Sequence, residues 1–267
     1  MEKLDFVFVG PQRTASSWLR EVLIKHPEIQ LPEYVKETHT FSSFKGENFK
    51  LKTPFIKENG KVGGEFGPLY FHDHLSINKI KSYNPNCKII IGVREPVEKT
   101  LSLFQHFFST GHAKKDFIKA SFDNPELIFS GHYRFWIPEW EKAFSKENVF
   151  LFNYHEIKNN SQKEIENLLN FLEVDPNQIG LNSDEKVGTA EVAYFPFLYK
   201  LLNDSALKLR EYGIHWLPNL GSKLGVKKIM AKKNKLEVDN DTINLLKEIF
   251  QEDLKFLESR DINLPKL

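Results

Sequence analysis

The chain has 267 residues, of which 40% are hydrophobic and 27% are charged, and its formal net charge is +1. This composition is that of a globular protein, and a nearly neutral chain has no global field that would draw it to nucleic acid or to an anionic membrane. The single cysteine, Cys87, excludes an intramolecular disulfide, and the apolar run after it predicts a buried thiol.

The N-terminal residues 1–10 pass directly into a strand-like run and lack the long apolar segment of a signal peptide. No stretch approaches 18 consecutive apolar residues. We therefore expect a cytoplasmic protein with no integral membrane segment and no nucleic-acid partner.

Three strand–helix units follow one another along the chain. A run rich in Val and Phe at 4–9 precedes a Gly-Pro pair and a helical pattern that ends before residue 26. A β-branched run at 88–93 leads into a helix that Pro96 opens. A third strand at 149–153 precedes a helix with apolar positions at 165, 168, 169 and 172.

Strands that alternate with helices predict an α/β fold, in which a mainly parallel central sheet is flanked by helices on both faces. Ligands bind at the carboxyl ends of the strands in such sheets. Residues 205–238 form a basic, irregular insert, and residues 239–267 form a helical segment with one amphipathic helix from about Asp241 to Leu257. We expect a single domain over residues 1–267.

The first loop, Gly-Pro-Gln-Arg-Thr-Ala-Ser-Ser-Trp-Leu at 10–19, lies between a predicted strand and a predicted helix. Backbone N–H groups and a helix N-terminus can cradle a phosphate there, and small residues at 14–17 let the backbone approach it. The Gly-Lys-Ser/Thr of a Walker A loop is absent, which argues against ATP or GTP hydrolysis. Arg13 supplies a cation instead, although a polar turn without a ligand would have the same sequence.

The second loop follows the strand at 88–93. Arg94 lies at the carboxyl end of that strand and Ser102 about two turns into the next helix, so that a guanidinium and a hydroxyl could meet on one anionic group. Alone, this pattern is more typical of a helix-capping arginine and a surface serine than of an anion site.

Together the two loops resemble the nucleotide motifs of the sulfotransferases that use 3′-phosphoadenosine-5′-phosphosulfate (PAPS), especially the heparan-sulfate-sulfotransferase-like and bacterial branch. Residues 10–19 resemble the 5′-phosphosulfate loop, Pro-Lys-Ser-Gly-Thr-Thr-Trp-Leu, and residues 94–102 resemble the 3′-phosphate motif, an Arg followed by a Ser eight positions on.

This resemblance implies a P-loop-type three-layer domain with PAPS as donor, adenosine 3′,5′-bisphosphate as product and no metal. Arg13 replaces the family's Lys; it keeps the charge and adds a bidentate fork, but it does not release a proton. The implied donor site comprises Arg13, Thr14, Ala15, Ser16, Ser17, Trp18, Arg94, Ser102, Lys186 and Gly188.

A third segment, residues 31–41, resembles the Lys-Glu-x-His-Phe-Phe stretch of the heparan sulfate branch, in which the Glu is the proposed base. The resemblance makes Glu37 the base, with Lys36 and Arg13 as the charges that stabilise the transferred group. His39 is the rival base, because an unperturbed imidazole titrates near neutral pH and other branches use a His.

Residues 64–71 resemble the family segment Glu-Lys-x-Pro-x-Tyr, but Phe66 stands at the position of the Lys. Either Arg13 and Lys36 suffice, or Phe66 forms an aromatic wall of the acceptor site, or it is a core residue. The missing cation argues against a highly sulfated polysaccharide acceptor. The lysine-rich run at 223–235 is typical of a solvated face, and residues 72–74 offer too few ligands for a metal.

These motifs predict a sulfotransferase that moves a sulfuryl group to a hydroxyl or amine of a carbohydrate or other small molecule. Two alternatives remain. A small-kinase-like phosphoryl transferase would need the Walker lysine, which is absent. A non-catalytic PAPS or adenosine bisphosphate-binding protein would keep the nucleotide motifs and lack a base.

Overall fold

The computed structural model describes residues 4–32, 36–42, 57–179, 192–193, 231–232 and 236–265. Five strands form a sheet in the order β2-β3-β1-β4-β5, and every neighbouring pair is parallel. The predicted α/β fold with a parallel sheet is confirmed. The strands are β1 (Phe6–Gly10), β2 (Ile29–Gln30), β3 (Val62–Phe66), β4 (Lys88–Val93) and β5 (Val149–Asn153), with an antiparallel pair β6 (Val192–Ala193) and β7 (Ala231–Lys232).

The helices cover both faces of the sheet. They are α1 (Ser16–Leu23), α2 (His74–Tyr83), α3 (Pro96–Ser109), α4 (Phe117–Asp123), α5 (Glu126–Phe129), α6 (Tyr133–Phe144), α7 (Tyr154–Leu172), α8 (Asn240–Ile249) and α9 (Gln251–Glu258), with 3-10 turns at Lys146–Asn148 and Pro176–Gln178. None of the helices in the described ranges is long and apolar enough to cross a membrane.

The alternation of side chains in β1 builds the three layers. Phe6 and Phe8 pack on one face against α1 and α7, whereas Val7 and Val9 pack on the other face with α2 and α6. All four side chains are fully buried. A strand that is apolar on both faces is typical of a parallel sheet covered by helices on both sides.

Local capping explains where the helix after β4 begins. Pro96 occupies the first turn of α3, and the carboxylate of Glu95 accepts hydrogen bonds from the N–H groups of Val97 and Glu98. The predicted start of this helix is therefore confirmed. The single helix expected at 241–257 is instead two, α8 and α9, which are separated at Phe250 because this residue leaves helical geometry with its side chain fully buried.

The loops that follow the strands lie at one edge of the sheet, because the carboxyl ends of parallel strands point the same way. At the end of β1 the chain needs a glycine: Gly10 has φ of 106°, and an added Cβ would lie 2.3 Å from the carbonyl oxygen of Pro68 in the loop after β3. Cys87 is buried beside β4, as predicted, and burial raises the pKa of its thiol.

Gly92 of β4 lies so close to Thr14, in the loop after β1, that there is no room for a larger side chain at position 92. A methyl group on Gly92 would lie 2.1 Å from the hydroxyl oxygen of Thr14, which is fully buried and donates to the carbonyl oxygen of Pro11 at 2.7 Å. We expect Gly92→Ala to lower the free energy of unfolding by about 1–3 kcal/mol because the clash must displace the loop. Urea denaturation measures this.

The matched control for this substitution is Lys119→Ala, on a side chain of α4 that is 76% exposed. It should change the free energy of unfolding by no more than about 0.5 kcal/mol. Unchanged stability of Gly92→Ala would contradict the close approach of β4 to the loop.

Candidate active site

The loop between β1 and α1 has a backbone suited to an anion. Arg13 and Ala15 have positive φ values of 69° and 66°, and Ala15, at the N-cap of α1, has no side-chain oxygen with which to cap the helix. Backbone N–H groups that converge in such a turn at a helix N-terminus form an anion-binding concavity. Left-handed geometry costs free energy at residues other than glycine, so the packing around the loop must stabilise it.

Side chains of this loop divide between core and surface. Trp18 is buried in the core with β1, and Thr14 is fully buried. Ser16 begins α1 and is partly exposed, and Ser17 is exposed. The hydroxyl groups of Ser16 and Ser17 therefore lie at the N-terminus of α1, at least partly exposed to solvent.

The first and second loops are in direct contact. Nε of Arg13 donates a hydrogen bond to the hydroxyl oxygen of Ser102 at 3.1 Å, and Nη1 of Arg94 donates to the carbonyl oxygen of Arg13 at 3.1 Å. Arg13 belongs to the first motif and Ser102 to the second, and they are 89 positions apart in the chain. The structure therefore brings the two predicted motifs together.

Aromatic and acidic groups fix Arg94 in place. Its backbone N–H donates to the hydroxyl of Tyr133 at 3.2 Å, and its guanidinium carbon lies 4.2 Å from the centre of the Tyr154 ring. Nε and Nη2 each lie 3.4 Å from Oε2 of Glu98. Tyr154 directly follows β5, the neighbour of β4 in the sheet. The ends of two adjacent strands therefore supply Arg94 and the aromatic ring that it contacts.

The electrostatics of this region favour an anion. Burial lowers the pKa of Arg13, and the positive charge of Arg94 lowers it further. Two guanidinium groups held together repel each other, and an anionic group between them relieves this repulsion.

Lys36 of the third segment contacts the start of α1. Nζ of Lys36 donates to the hydroxyl oxygen of Ser17 at 2.5 Å, and Nε2 of His39 lies 3.8 Å from Oε2 of Glu37. Burial raises the pKa of Glu37, although the charge of Lys36 opposes this effect. A carboxylate with a raised pKa is a stronger base.

A buried carboxyl group on β3 ties this segment to the sheet. Glu65 accepts hydrogen bonds from the hydroxyl groups of Thr38 at 2.7 Å and Tyr70 at 3.0 Å, and the Tyr70 hydroxyl accepts from the N–H of Phe41 at 3.2 Å. Burial raises the pKa of Glu65 to about 7. The sequence signal for this network was a glutamate, Glu65, inside an otherwise apolar strand. The motifs by themselves did not predict the network.

Phe66, at the position of the family's Lys, is 2% exposed, and its ring stacks on that of Phe8 with centroids 5.0 Å apart. Of the interpretations that the sequence left open, core packing agrees with this geometry.

Two further ionisable residues near the carboxyl edge, Lys99 and His72, were not assigned to the site from the sequence. Lys99 on α3 is fully buried and donates to the hydroxyl oxygen of Ser130, and burial lowers its pKa to about 7. The ring nitrogens of His72 are buried with no hydrogen-bond partner among the described residues, and burial lowers its pKa to about 4. Lys99 lies on the apolar stripe of α3, three positions after Pro96 and four before Leu103, and this spacing could have indicated its burial.

The remaining candidates have other roles or lie outside the described residues. Asp73 caps α2 by accepting from the N–H of Leu75, and His74 lies 3.6 Å from Glu139. Across the described ranges, no three His, Cys, Asp or Glu side chains group as metal ligands. Lys186, Gly188 and the lysine-rich run, apart from 231–232 in β7, lie outside the described residues.

Similar structures support the fold. A sulfotransferase from Alicyclobacillus acidocaldarius has a TM-score of 0.59 at 19% identity and covers 82% of this chain and 97% of its own. The sulfotransferase STF9 from Mycobacterium avium has a TM-score of 0.51 at 10% identity and covers 99% of this chain and 79% of its own. At these identities the likeness concerns the fold alone.

A family model assigns the family, and similar sequences agree with it. Bifunctional heparan sulfate N-deacetylase/N-sulfotransferase 1 of Caenorhabditis briggsae is 23% identical over 195 residues, which are 64% of this chain and 22% of that protein. Membrane-associated sulfotransferase kil1 of Dictyostelium discoideum is 27% identical over 117 residues, which are 42% of this chain and 24% of that protein. The chain thus spans about a quarter or less of the length of these relatives. The family model of the sulfotransferase domain matches residues 3–257. The resemblance found in the motifs is confirmed: the chain belongs to the sulfotransferase family, whose members are enzymes that transfer sulfuryl groups.

Proposed function

We propose that this enzyme takes the sulfuryl group from PAPS and transfers it to an acceptor hydroxyl or amine, with Glu37 as the base. The observation that carries the proposal is the direct contact between the two loops through Arg13, Ser102 and Arg94. This contact concentrates positive charge and hydroxyl groups where two strands end, which suits a donor with anionic groups on both sides of its ribose.

The proposed donor site assigns a role to each loop. The loop after β1, with Arg13 and the exposed Ser17, takes the phosphosulfate, while Arg94 and Ser102 take the 3′-phosphate. Lys36 contacts Ser17 and so adds a second cation beside the phosphosulfate end. Positive charge there stabilises the phosphate that departs when the sulfuryl group leaves.

The proposed reaction is an in-line displacement at sulfur. The acceptor oxygen or nitrogen forms a bond to sulfur while the bond from sulfur to the 5′-phosphate oxygen breaks, and that oxygen keeps the electron pair. The acceptor proton passes to the carboxylate of Glu37, and adenosine 3′,5′-bisphosphate is released. The raised pKa of Glu37 favours this proton transfer, whereas Glu65 already accepts two hydroxyl donors on its two oxygens.

Heparan sulfate N-sulfotransferases are among the relatives, and this favours a carbohydrate acceptor. Phe66 in place of a lysine argues against a densely sulfated one, because a cation that would attract such a chain is replaced by a core residue. The cytoplasmic location remains a prediction.

Arg94 gives the first test of the donor site. We expect Arg94→Ala to weaken the binding of adenosine 3′,5′-bisphosphate roughly 10- to 100-fold, because a charged hydrogen-bond donor to phosphate is lost. Isothermal titration calorimetry measures the affinity. Arg260→Ala is the matched control, since Arg260 also pairs with a glutamate, Glu141, at 2.6 Å. Equal affinities for all three proteins would contradict the proposed 3′-phosphate site.

Glu37 gives the second test. We expect Glu37→Gln to lower turnover about 10²- to 10⁴-fold because the base is lost, while bisphosphate binding changes less than about twofold. Turnover is measured as release of adenosine 3′,5′-bisphosphate from PAPS with a panel of carbohydrate and phenol acceptors. Glu139→Gln is the control, because Glu139 also lies beside a histidine, His74. Normal turnover of Glu37→Gln would disprove the assignment.

The pH dependence gives the third test. Glu37 acts as a base only when it is ionised, and burial raises its pKa above the ordinary value of 4.5. The rate should therefore fall as the pH decreases through this raised pKa, so that the acidic limb of the profile lies above pH 4.5. His39→Asn should keep this limb; if it disappears in His39→Asn, the base is His39.

A further inference from the structure

The guanidinium of Arg94 is held on three sides. Nη1 donates to the carbonyl oxygen of Arg13 at 3.1 Å, one face lies 4.2 Å from the centre of the Tyr154 ring, and the edge formed by Nε and Nη2 lies 3.4 Å from Oε2 of Glu98. A guanidinium has five N–H groups, of which these contacts use three. One N–H remains on each terminal nitrogen, and such a pair can bind two oxygens of one phosphate.

We propose that Glu98 is a positioning residue that holds Arg94 in the orientation in which it recognises a 3′-phosphate. This inference rests on the proposed donor site and extends it to a residue that contacts Arg94 and not the nucleotide. Glu98 thereby determines how strongly the enzyme distinguishes nucleotides with a 3′-phosphate from those without one.

Repulsion between the two arginines is the reason that Arg94 needs a partner. The charge of Arg94 lowers the pKa of Arg13, and the two side chains share a partly buried region. The carboxylate of Glu98 lies 3.4 Å from Nε and Nη2 of Arg94, so it offsets the charge of Arg94 and holds this edge of the guanidinium in one orientation. Without Glu98, one hydrogen bond and one aromatic contact must hold the guanidinium.

The position of Glu98 is itself fixed. Its backbone N–H donates to Oε2 of Glu95 at 2.6 Å in the first turn of α3, and its side chain reaches back to Arg94 four residues earlier. The side chains of Arg94 and Glu98 are only 15% and 26% exposed, so solvent and salt screen this pair less than a surface ion pair.

Glu98 also carries a negative charge, which could repel the 3′-phosphate and compete with it for Arg94. Positioning and competition predict opposite changes in the affinity for adenosine 3′,5′-bisphosphate when this charge is removed. Positioning predicts that Glu98→Gln weakens binding, because a neutral amide holds Nε and Nη2 of Arg94 less strongly than a carboxylate does. Competition predicts that Glu98→Gln strengthens binding.

The test measures the affinities of wild type and Glu98→Gln for adenosine 3′,5′-bisphosphate and for AMP by isothermal titration calorimetry. We expect Glu98→Gln to weaken bisphosphate binding about fivefold, as for a partly buried ion pair, and to change AMP binding less than about twofold. In the Arg94→Ala background, Glu98→Gln should have no effect on bisphosphate affinity, since the residue on which it acts is absent.

The matched control is Glu141→Gln, which breaks the other glutamate–arginine pair, with Arg260, and should leave both affinities unchanged. An unchanged or tighter bisphosphate affinity in Glu98→Gln overturns the positioning role, and so does an equal loss for AMP and bisphosphate. A wild type that does not prefer the bisphosphate to AMP overturns the proposed 3′-phosphate site itself, and with it this inference.

Discussion

The candidate site depends on keeping two arginines, Arg13 and Arg94, close together at the carboxyl edge of the sheet. Arg94 donates to the backbone of Arg13, and Arg13 donates to Ser102, so that two loops are joined through positively charged side chains. Burial and like charge both disfavour this arrangement, as the lowered pKa of Arg13 indicates. An arrangement that is costly without an anion and favourable with one is suited to bind a multiply charged nucleotide.

The parallel order of the strands makes this arrangement possible. β1 lies between β3 and β4, and β5 lies on the other side of β4. The loops after β1 and β4 therefore supply Arg13 and Arg94, and Tyr154 follows β5 to stack on Arg94. Because these side chains extend from strand ends in a packed sheet, the scaffold limits how far they can move.

Glu65 and Glu37 are both carboxyl groups near the site with raised pKa values, but their surroundings differ. Glu65 is fully buried in β3, and both of its oxygens accept hydrogen bonds from hydroxyl groups, which suits a group that joins the third segment to the sheet. Glu37 lies beside His39 and follows a lysine that contacts α1. The proposal that Glu65 is structural and Glu37 is the catalytic base follows from which carboxylate oxygens already accept hydrogen bonds, and not from the pKa values alone.

The strand–helix units, the start of α3 at Pro96 and the two loops with the family's motifs can be predicted from the amino-acid sequence. These features depend on residues close together in the chain, because periodicity, capping and turn geometry are local. Other features became evident only from the packed fold: Arg13 contacts Ser102, Phe66 stacks on Phe8, Lys99 is buried, and the C-terminal helix is interrupted at the buried Phe250. Those outcomes depend on how the sheet and helices pack, and contacts between distant segments are not specified by local spacing.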